Sequence, residues 1–239
     1  MGATLASLAS EALKPSLMKK LAIIIPARNE AAHIVGTLMP LQVLRSELEI
    51  IVVDGASTDN TAALAQPLCD QLLPSPPGRA RQMNVGAAAA NATTLLFLHA
   101  DTQLPANFLQ LISLGLNGEK HWGRFDVQLQ PSSPLLRLVA RMMNWRSRLT
   151  SVCTGDQGVF VQNALFRELG GYADLPLMED IELSKRLRRY CKPACLHPAL
   201  ITSSRRWQQH GVLRTVVLMW WLRALYWLGV SPHRLAKCY

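Results

Sequence analysis

The chain is 239 residues long, 49% of them apolar, and carries a formal net charge of +9 at pH 7. This length suits one sizeable α/β domain with appendages. The five cysteines show no CxxC or Cys/His zinc spacing. That pattern argues against a disulfide scaffold and favours a reducing, cytoplasmic location.

The positive charge lies in the second half of the chain. Residues 1–120 hold 8 Lys and Arg against 9 Asp and Glu, whereas residues 121–239 hold 17 against 7. A basic half predicts an anionic partner such as a phosphate or an acidic lipid. With no zinc finger, RNP-like aromatic pattern or basic recognition helix in the sequence, nucleic acid is not the expected partner.

The first residues do not have the pattern of a secretory signal. They lack a basic n-region and a long apolar run. Because Met18-Lys19-Lys20 has the form of an alternative start, we expect residues 1–17 to be a flexible extension. The main domain is then expected over residues 18–210.

Strand and helix patterns alternate along the first half of the chain. This alternation predicts a parallel sheet with helices on both faces. Neither a GxGxxG nor a GxxxxGK[ST] motif is present. Apolar runs predict strands at 21–25, 49–53, 72–73 and 94–98, and helical spacing predicts helices opening at Asn29-Glu30, after a cap at Ser57 or Asp59, at 79–91 and at Pro105.

Three acidic residues lie at or just beyond the ends of predicted strands: Glu30, Asp54 and Asp101. Ligands of open α/β sheets bind beyond the carboxyl ends of the strands. A lone Asp101 could equally cap the next helix. Three acids in one sheet instead indicate a polar site.

Arg79 and Arg81 fall in the first turn of a predicted helix. The helix dipole favours anions there, so two arginines are poorly placed unless a phosphate binds between them and the free N–H groups. Two solvated arginines are the alternative interpretation.

The second half shows a mixed pattern. Residues 122–129 alternate and predict a half-exposed strand, and 134–149 predict a basic helix with one apolar face. Residues 159–161 predict a strand, and Gly170-Gly171 ends the helix that follows it. Glu179 and Asp180 open a further helix, where they are either functional or only stabilise the helix dipole.

The segment 212–230 is almost entirely apolar, with aromatic residues and two interrupting arginines. A spanning helix needs about 20 apolar residues, and an arginine near its centre costs about 2.5–3.5 kcal/mol. An interfacial helix at a membrane surface is favoured, and packing within the domain or against a partner is the alternative.

Six short motifs follow one another between Leu21 and Trp207. They are Ile23-Ile24-Ile25-Pro26-Ala27-Arg28-Asn29-Glu30, Val52-Val53-Asp54-Gly55-Ala56-Ser57-Thr58-Asp59, His99-Ala100-Asp101, Gly170-Gly171-Tyr172, Met178-Glu179-Asp180 and Arg205-Arg206-Trp207. In order and spacing they resemble the motifs of glycosyltransferase family 2. The further run Trp122–Val127 resembles a small bacterial branch of that family whose substrate is unassigned.

The resemblance implies a GT-A fold: a mostly parallel central sheet with helices on both faces and, in this chain, a C-terminal apolar helix at 211–239. It implies a nucleotide-binding half at 18–116, an acceptor-binding half at 117–210 and an inverting reaction. Asp180, with Glu179 beside it, is the implied general base, and Asp101 the implied ligand of Mg²⁺ or Mn²⁺. His99 replaces the first acid of the family's DxD motif. The implied donor-site residues are Pro26, Ala27, Arg28, Glu30, Asp54, Ser57, Arg79, Asn84, His99, Ala100, Asp101, Arg206 and Trp207.

The expected function is therefore transfer of a sugar from a nucleotide-diphospho-sugar to a hydroxyl acceptor, with a lipid-linked acceptor as one alternative. Two alternatives remain open. One is a nucleotidyltransferase on a related sheet, and the other is a membrane-surface protein that binds a nucleotide sugar without turnover. We also expect residues 212–230 to make peripheral contact with the inner face of the cell membrane, and the protein to form a homodimer.

Overall fold

The computed structural model describes residues 19–238, and the extension expected at 1–17 lies outside them. Eight strands of this part of the chain form a single sheet in the order β3-β2-β1-β4-β7-β6-β8-β5. The strands are β1 (Leu21–Ala27), β2 (Leu48–Asp54), β3 (Gln71–Pro74), β4 (Thr94–Phe97), β5 (Thr102–Gln103), β6 (Trp122–Gln130), β7 (Val159–Gln162) and β8 (Ala194–Ser203).

The helices connect these strands and extend beyond the last one. They are α1 (Ile34–Leu38), α2 (Thr61–Ala65), α3 (Arg79–Ala89), α4 (Phe108–Gly115), α5 (Pro134–Thr150), α6 (Asn163–Glu168), α7 (Glu179–Leu187), α8 (Arg205–His210), α9 (Val212–Trp227) and α10 (Pro232–Leu235). Short 3₁₀ turns lie at Met39–Leu44, Gln66–Leu68, Gly155–Gln157 and Ala236–Cys238.

The sheet is parallel through its first half. β1 pairs in parallel with both β2 and β4, and β2 pairs in parallel with β3. β7 runs antiparallel to β4 and β6, β6 and β8 are parallel, and β5 is antiparallel to β8. The carboxyl ends of β1, β2 and β4 therefore meet at one edge of the sheet.

Helices cover both faces of the sheet, as predicted. Alternate side chains of β1 point to opposite faces, so Ile23 and Ile25 belong to one core and Ile24 to the other. Helices α1 and α4 pack on the first core, while α3, α6 and α7 pack on the second. The mostly parallel α/β fold with helices on both faces is confirmed.

Two strand predictions need correction. β6 is a buried internal strand rather than a half-exposed one, and the polar Arg124 and Asp126 on it are buried. They pair with each other, and Asp126 also accepts from Arg148 at 2.5 Å, which compensates for the burial of charge. β8 was not predicted at all.

Two helix starts also differ from the sequence prediction. The first helix begins at Ile34 rather than near Asn29, because Asn29 adopts a left-handed conformation with φ of 55°. The residue that precedes α2 is Asn60, whose side chain makes no capping hydrogen bond. Ser57 binds the loop after β1 instead. Asp59 accepts the N–H of Ala31 in that loop at 3.2 Å and the N–H of Thr61, the first residue of α2, at 3.0 Å.

The apolar segment near the C-terminus forms α9 and packs on the domain through one side. Leu222 is fully buried in a small core with Ile181 of α7 and Leu235 of α10. Other α9 side chains are exposed, among them Leu213 and Val217. No helix within residues 19–238 has both the length and the apolar character needed to cross a bilayer.

Candidate active site

A cavity of about 670 Å³ opens at the sheet edge where β1 and β4 end, and α5, α7, α8 and α9 complete its lining. Most of the residues singled out in the sequence line it. These are Pro26, Ala27, Arg28, Glu30, Arg79, His99, Ala100, Asp101, Glu179, Asp180, Arg206 and Trp207.

Three residues singled out in the sequence do not line the cavity. Asp54 is the register partner of Ala27 on the neighbouring strand, and its carboxylate accepts both the N–H and the hydroxyl of Ser57. Asn84 exchanges two hydrogen bonds with the backbone of Tyr172, at 2.8 and 2.9 Å. Asn84 therefore fastens α3 to the turn at 170–172 rather than facing the cavity.

The loop after β1 is cross-linked to the loop after β2. Ser57 Oγ accepts the N–H of Asn29 at 3.0 Å, and Asn29 Oδ1 accepts the N–H of Thr58 at 2.9 Å. Thr61 Oγ1 accepts the N–H of Glu30 at 2.8 Å. These bonds fix the position of Glu30 and account for the polar residues at 57–61.

Glu30 and Asp101 share a cation, Arg205, which belongs to the Arg205-Arg206-Trp207 motif but is not among the implied donor-site residues. Arg205, at the start of α8, donates two guanidinium nitrogens to the Glu30 carboxylate, the shorter contact being 2.9 Å. The same guanidinium lies 3.7 Å from Asp101 Oδ2. Burial raises the pKa of Asp101, the charge of Glu30 raises it further, and Arg205 acts in the opposite direction.

Arg79 and His99 form a second polar pair. Arg79 Nη2 donates to His99 Nδ1 at 3.1 Å. Enclosure by protein lowers the pKa of His99 well below its usual value, and the charge of Arg79 lowers it further. His99 is therefore a neutral imidazole with its proton on Nε2, because Nδ1 is the acceptor.

Only one of the two arginines at the start of α3 faces the cavity. Arg81 forms an exposed ion pair with Asp174 at 2.9 Å, whereas Arg79 lines the cavity. Arg206 lines it too, and burial lowers the pKa of that guanidinium, with the charge of Arg79 acting in the same direction. Arg79 and Arg206 together give this side of the cavity a positive potential that suits an anion.

Glu179 and Asp180 reach the cavity from the first turn of α7. The preceding residue, Met178, is buried in a left-handed conformation with φ of 69°, which is costly for a side chain of this kind and turns the chain into the helix. Burial raises the pKa of Glu179, and the charge of Asp180 raises it further.

Gly155 brings the loop before β7 against these groups. Its N–H donates to Asp180 Oδ2 at 2.8 Å. A Cβ at this position would lie 2.9 Å from His99 Nε2 and 3.1 Å from Arg79 Nη2. Only glycine permits this approach without movement of the neighbours, so Gly155 is a site residue that the sequence did not reveal.

Asp101, the acid at the end of the His99-Ala100-Asp101 motif, is the cavity carboxylate that we consider as a metal ligand. No group of three or more His, Cys, Asp and Glu side chains within residues 19–238 could hold a metal ion. His99 cannot contribute, since Arg79 occupies its Nδ1 lone pair and its Nε2 carries a proton. One carboxylate fits Mg²⁺ or Mn²⁺ bound with substrate phosphates and water, which is the usual mode for magnesium.

The cavity thus has two contrasting sides. The strand-end wall comprises residues 26–28, Glu30, Arg79, residues 99–101, Arg205 and Arg206. The helix wall comprises the cavity-facing side chains of α5 and α9, which are mainly apolar but include two arginines. These are Val139, Met142, Met143, Trp145, Arg146, Thr215, Val216, Met219, Trp220 and Arg223.

Comparison with known proteins shows what this sequence and fold resemble. Residues 22–117, which form less than half of the chain, match the model of glycosyl transferase family 2. The eight-stranded sheet with its helices is the GT-A fold, which solved glycosyltransferase structures share.

Among curated proteins, the chain is 24% identical over 247 residues to the probable glycosyltransferase YdaM of Bacillus subtilis. The match covers 92% of this chain but 57% of that protein, so the chain spans little more than half of its relative.

Two solved structures illustrate the shared fold. S. aureus TarS 1–349 in complex with UDP superposes with a TM-score of 0.63 at 16% identity, over 77% of this chain and 60% of that one. The mannosyltransferase PcManGT of Pyrobaculum calidifontis, in complex with GDP-Man and Mn²⁺, gives 0.59 at 19% identity, over 77% and 56%. At these identities the likeness establishes the fold.

Proposed function

We propose that this protein is an inverting glycosyltransferase that moves a sugar from a nucleotide-diphospho-sugar to a hydroxyl group. The observation that carries the proposal is the meeting of Arg79, Asp101 and Asp180 in one cavity at the strand ends of the segment that matches family 2. In that cavity Arg79 would bind the diphosphate, Asp101 would bind a divalent metal, and the Asp180 carboxylate would accept a proton.

The strand-end wall would bind the donor. Arg79 and Arg206 supply positive charge, and Arg79 lies in the first turn of α3, where the helix dipole also favours an anion. Arg205 holds Glu30 and Asp101 in place by charge-assisted hydrogen bonding and proximity. Structural neighbours that are described with UDP-GlcNAc and GDP-Man bind donors of this chemical class.

Asp180 would act as the general base. Inversion requires a hydroxyl to attack on the side opposite the leaving diphosphate, and a carboxylate there accepts its proton. The Gly155 N–H holds one Asp180 oxygen in position. Glu179 lies beside Asp180 in the first turn of α7, where burial raises the pKa of the Glu179 carboxyl.

Asp101 would hold Mg²⁺ or Mn²⁺ together with the donor phosphates. The ion supplies positive charge against the leaving diphosphate. Neighbours described with Mn²⁺ support a divalent metal in this fold. His99, neutral and bonded to Arg79, would donate from Nε2 rather than bind the ion.

The acceptor would reach the cavity from a membrane surface. On α5, Leu138, Trp145 and Leu149 are more than half exposed, and on α9 so are Leu213 and Val217. Exposed arginines on both helices accompany these apolar side chains. Apolar and basic side chains on adjoining helices suit the surface of an anionic bilayer, consistent with a peripheral protein on the cytoplasmic face.

A thermal-shift screen of UDP-, GDP- and dTDP-sugars with and without Mn²⁺ tests the proposed function. We expect one donor to raise the Tm, and to raise it further with Mn²⁺, because ligands that bind only the folded state stabilise it. In Asp101→Asn the additional shift from Mn²⁺ should disappear. If no donor changes the Tm under either condition, the proposed function is wrong.

A further inference from the structure

Arg146 and Arg223 are the two arginines of the helix wall. Unlike Arg205, which pairs with Glu30, neither has a carboxylate partner among residues 19–238. Arg146 Nε and Nη2 are buried and make no hydrogen bond within residues 19–238. Neither Arg146 nor Arg223 forms a salt bridge in that part of the chain. A buried guanidinium with unsatisfied donors is costly unless a ligand completes it.

The charges around Arg146 indicate where an anion would lie. The charge of Arg223 on α9 repels the Arg146 guanidinium, whereas the charges of Asp156 and Asp180 attract it. Burial and then Arg223 lower the pKa of Arg146 to about 10. An anion beside Arg223 would relieve both the repulsion and the missing hydrogen bonds, and would lie within the same cavity as Asp180.

The side chains around this pair are apolar. Met142, Met143 and Trp145 of α5, with Met219 and Trp220 of α9, line the cavity. Trp145 and Trp220 are 66% and 57% exposed, so the apolar lining continues outward to the protein surface. Methionine and tryptophan side chains adapt to flexible apolar chains.

From these observations we infer that the acceptor is an amphiphile whose anionic group, a phosphate or a carboxylate, binds Arg146 and Arg223 while its apolar chain lies against the Met and Trp side chains of the helix wall. The identification of this ligand as the acceptor rests on the proposed function. The anion subsite itself rests only on the structure.

Calorimetric titration with octyl phosphate, below its micelle concentration, tests the subsite directly. Arg146→Gln and Arg223→Gln should each weaken its binding about tenfold or more, since each removes a charge-assisted hydrogen bond. Arg141→Gln is the matched control, because Arg141 is an exposed arginine of the same helix outside the cavity. Unchanged binding in both cavity variants would overturn the inference.

Three further probes separate the two parts of the ligand. Octyl phosphate should bind at least about tenfold more tightly than glycerol phosphate, because its methylene groups are buried, and more tightly than 1-octanol, which lacks the charge. Octanoate shows whether carboxylate serves as well as phosphate, and either anion supports the inference. Equal binding of octyl phosphate and glycerol phosphate would overturn the apolar part, and equal binding of 1-octanol the anionic part.

A stability measurement excludes a merely structural role for Arg146. Since its buried donors are unsatisfied, Arg146→Gln should leave the ligand-free Tm unchanged or raise it, whereas loss of a structural arginine would lower it by more than about 3 °C. If the donor screen fails while octyl phosphate binding still depends on Arg146, the proposed function falls and the anion subsite stands.

Discussion

The two walls of the cavity differ in how their charges are satisfied. On the strand-end wall, Arg205 pairs with Glu30 and Arg79 bonds His99. On the helix wall, Arg146 has buried donors with no partner among the described residues, and Arg223 forms no salt bridge there. The first wall is organised before any ligand binds, and the second has a positive charge that a ligand would satisfy.

The difference matches the two tasks of a transferase. A donor diphosphate with its metal needs ligands held in advance, because positioning accounts for much of catalysis. An acceptor that enters from a surface needs a site that binds its charge and adapts to its chain. Asp180 belongs to neither wall, and we propose that it accepts the proton of the acceptor hydroxyl.

The largest effect should come from Asp180→Asn. The amide keeps the size of the side chain but cannot take a proton, so release of nucleoside diphosphate from the responding donor should fall by at least about 100-fold. Donor binding should remain as in the wild type. Asp174→Asn is the control, since this exposed acid lies outside the cavity.

Arg79→Gln should have the next largest effect, on donor affinity. Losing a hydrogen bond to a charged phosphate costs about 1.5–3 kcal/mol, or roughly 10- to 100-fold in Kd. Arg81→Gln, two residues along the same helix, should leave the Kd unchanged because Arg81 pairs with Asp174 instead. Equal losses in the two variants would show that helix charge, not Arg79 itself, governs donor binding.

Gly155→Ala should weaken the site more modestly. The added Cβ, 2.9 Å from His99 Nε2 and 3.1 Å from Arg79 Nη2, would force both side chains to move. We expect nucleotide release to slow about tenfold, in line with the sensitivity of catalysis to misplacement. In Gly36→Ala, where nothing lies within 4 Å of the new Cβ, the rate should not change.

Asn84→Ala should affect stability and leave donor affinity unchanged. Its two bonds to Tyr172 would be lost, which should lower the free energy of unfolding by about 1–3 kcal/mol in denaturant titration. Asn117→Ala is the control, because Asn117 is exposed and has no side-chain bond among the contacts described. A large drop in donor affinity at unchanged stability would instead return Asn84 to the binding site.

The strand-end wall was largely predictable because strand ends and the acids that follow them are contiguous in sequence. Arg205 was missed as a site residue because its partner Glu30 is 175 positions away. The unsatisfied donors of Arg146 could not be predicted, since a missing partner is a property of the folded chain. His197-Pro198 concealed β8, because proline within a run argues against an internal strand.

The most direct test of the contrast between the walls is calorimetry of two ligands on two variants. Arg79→Gln and Arg146→Gln would each be titrated with octyl phosphate and, in Mn²⁺, with the nucleoside diphosphate of the donor that shifts the Tm. We predict that Arg79→Gln weakens only the nucleotide and Arg146→Gln only octyl phosphate. Equal weakening of both ligands by both variants would contradict the division into a donor wall and an acceptor wall.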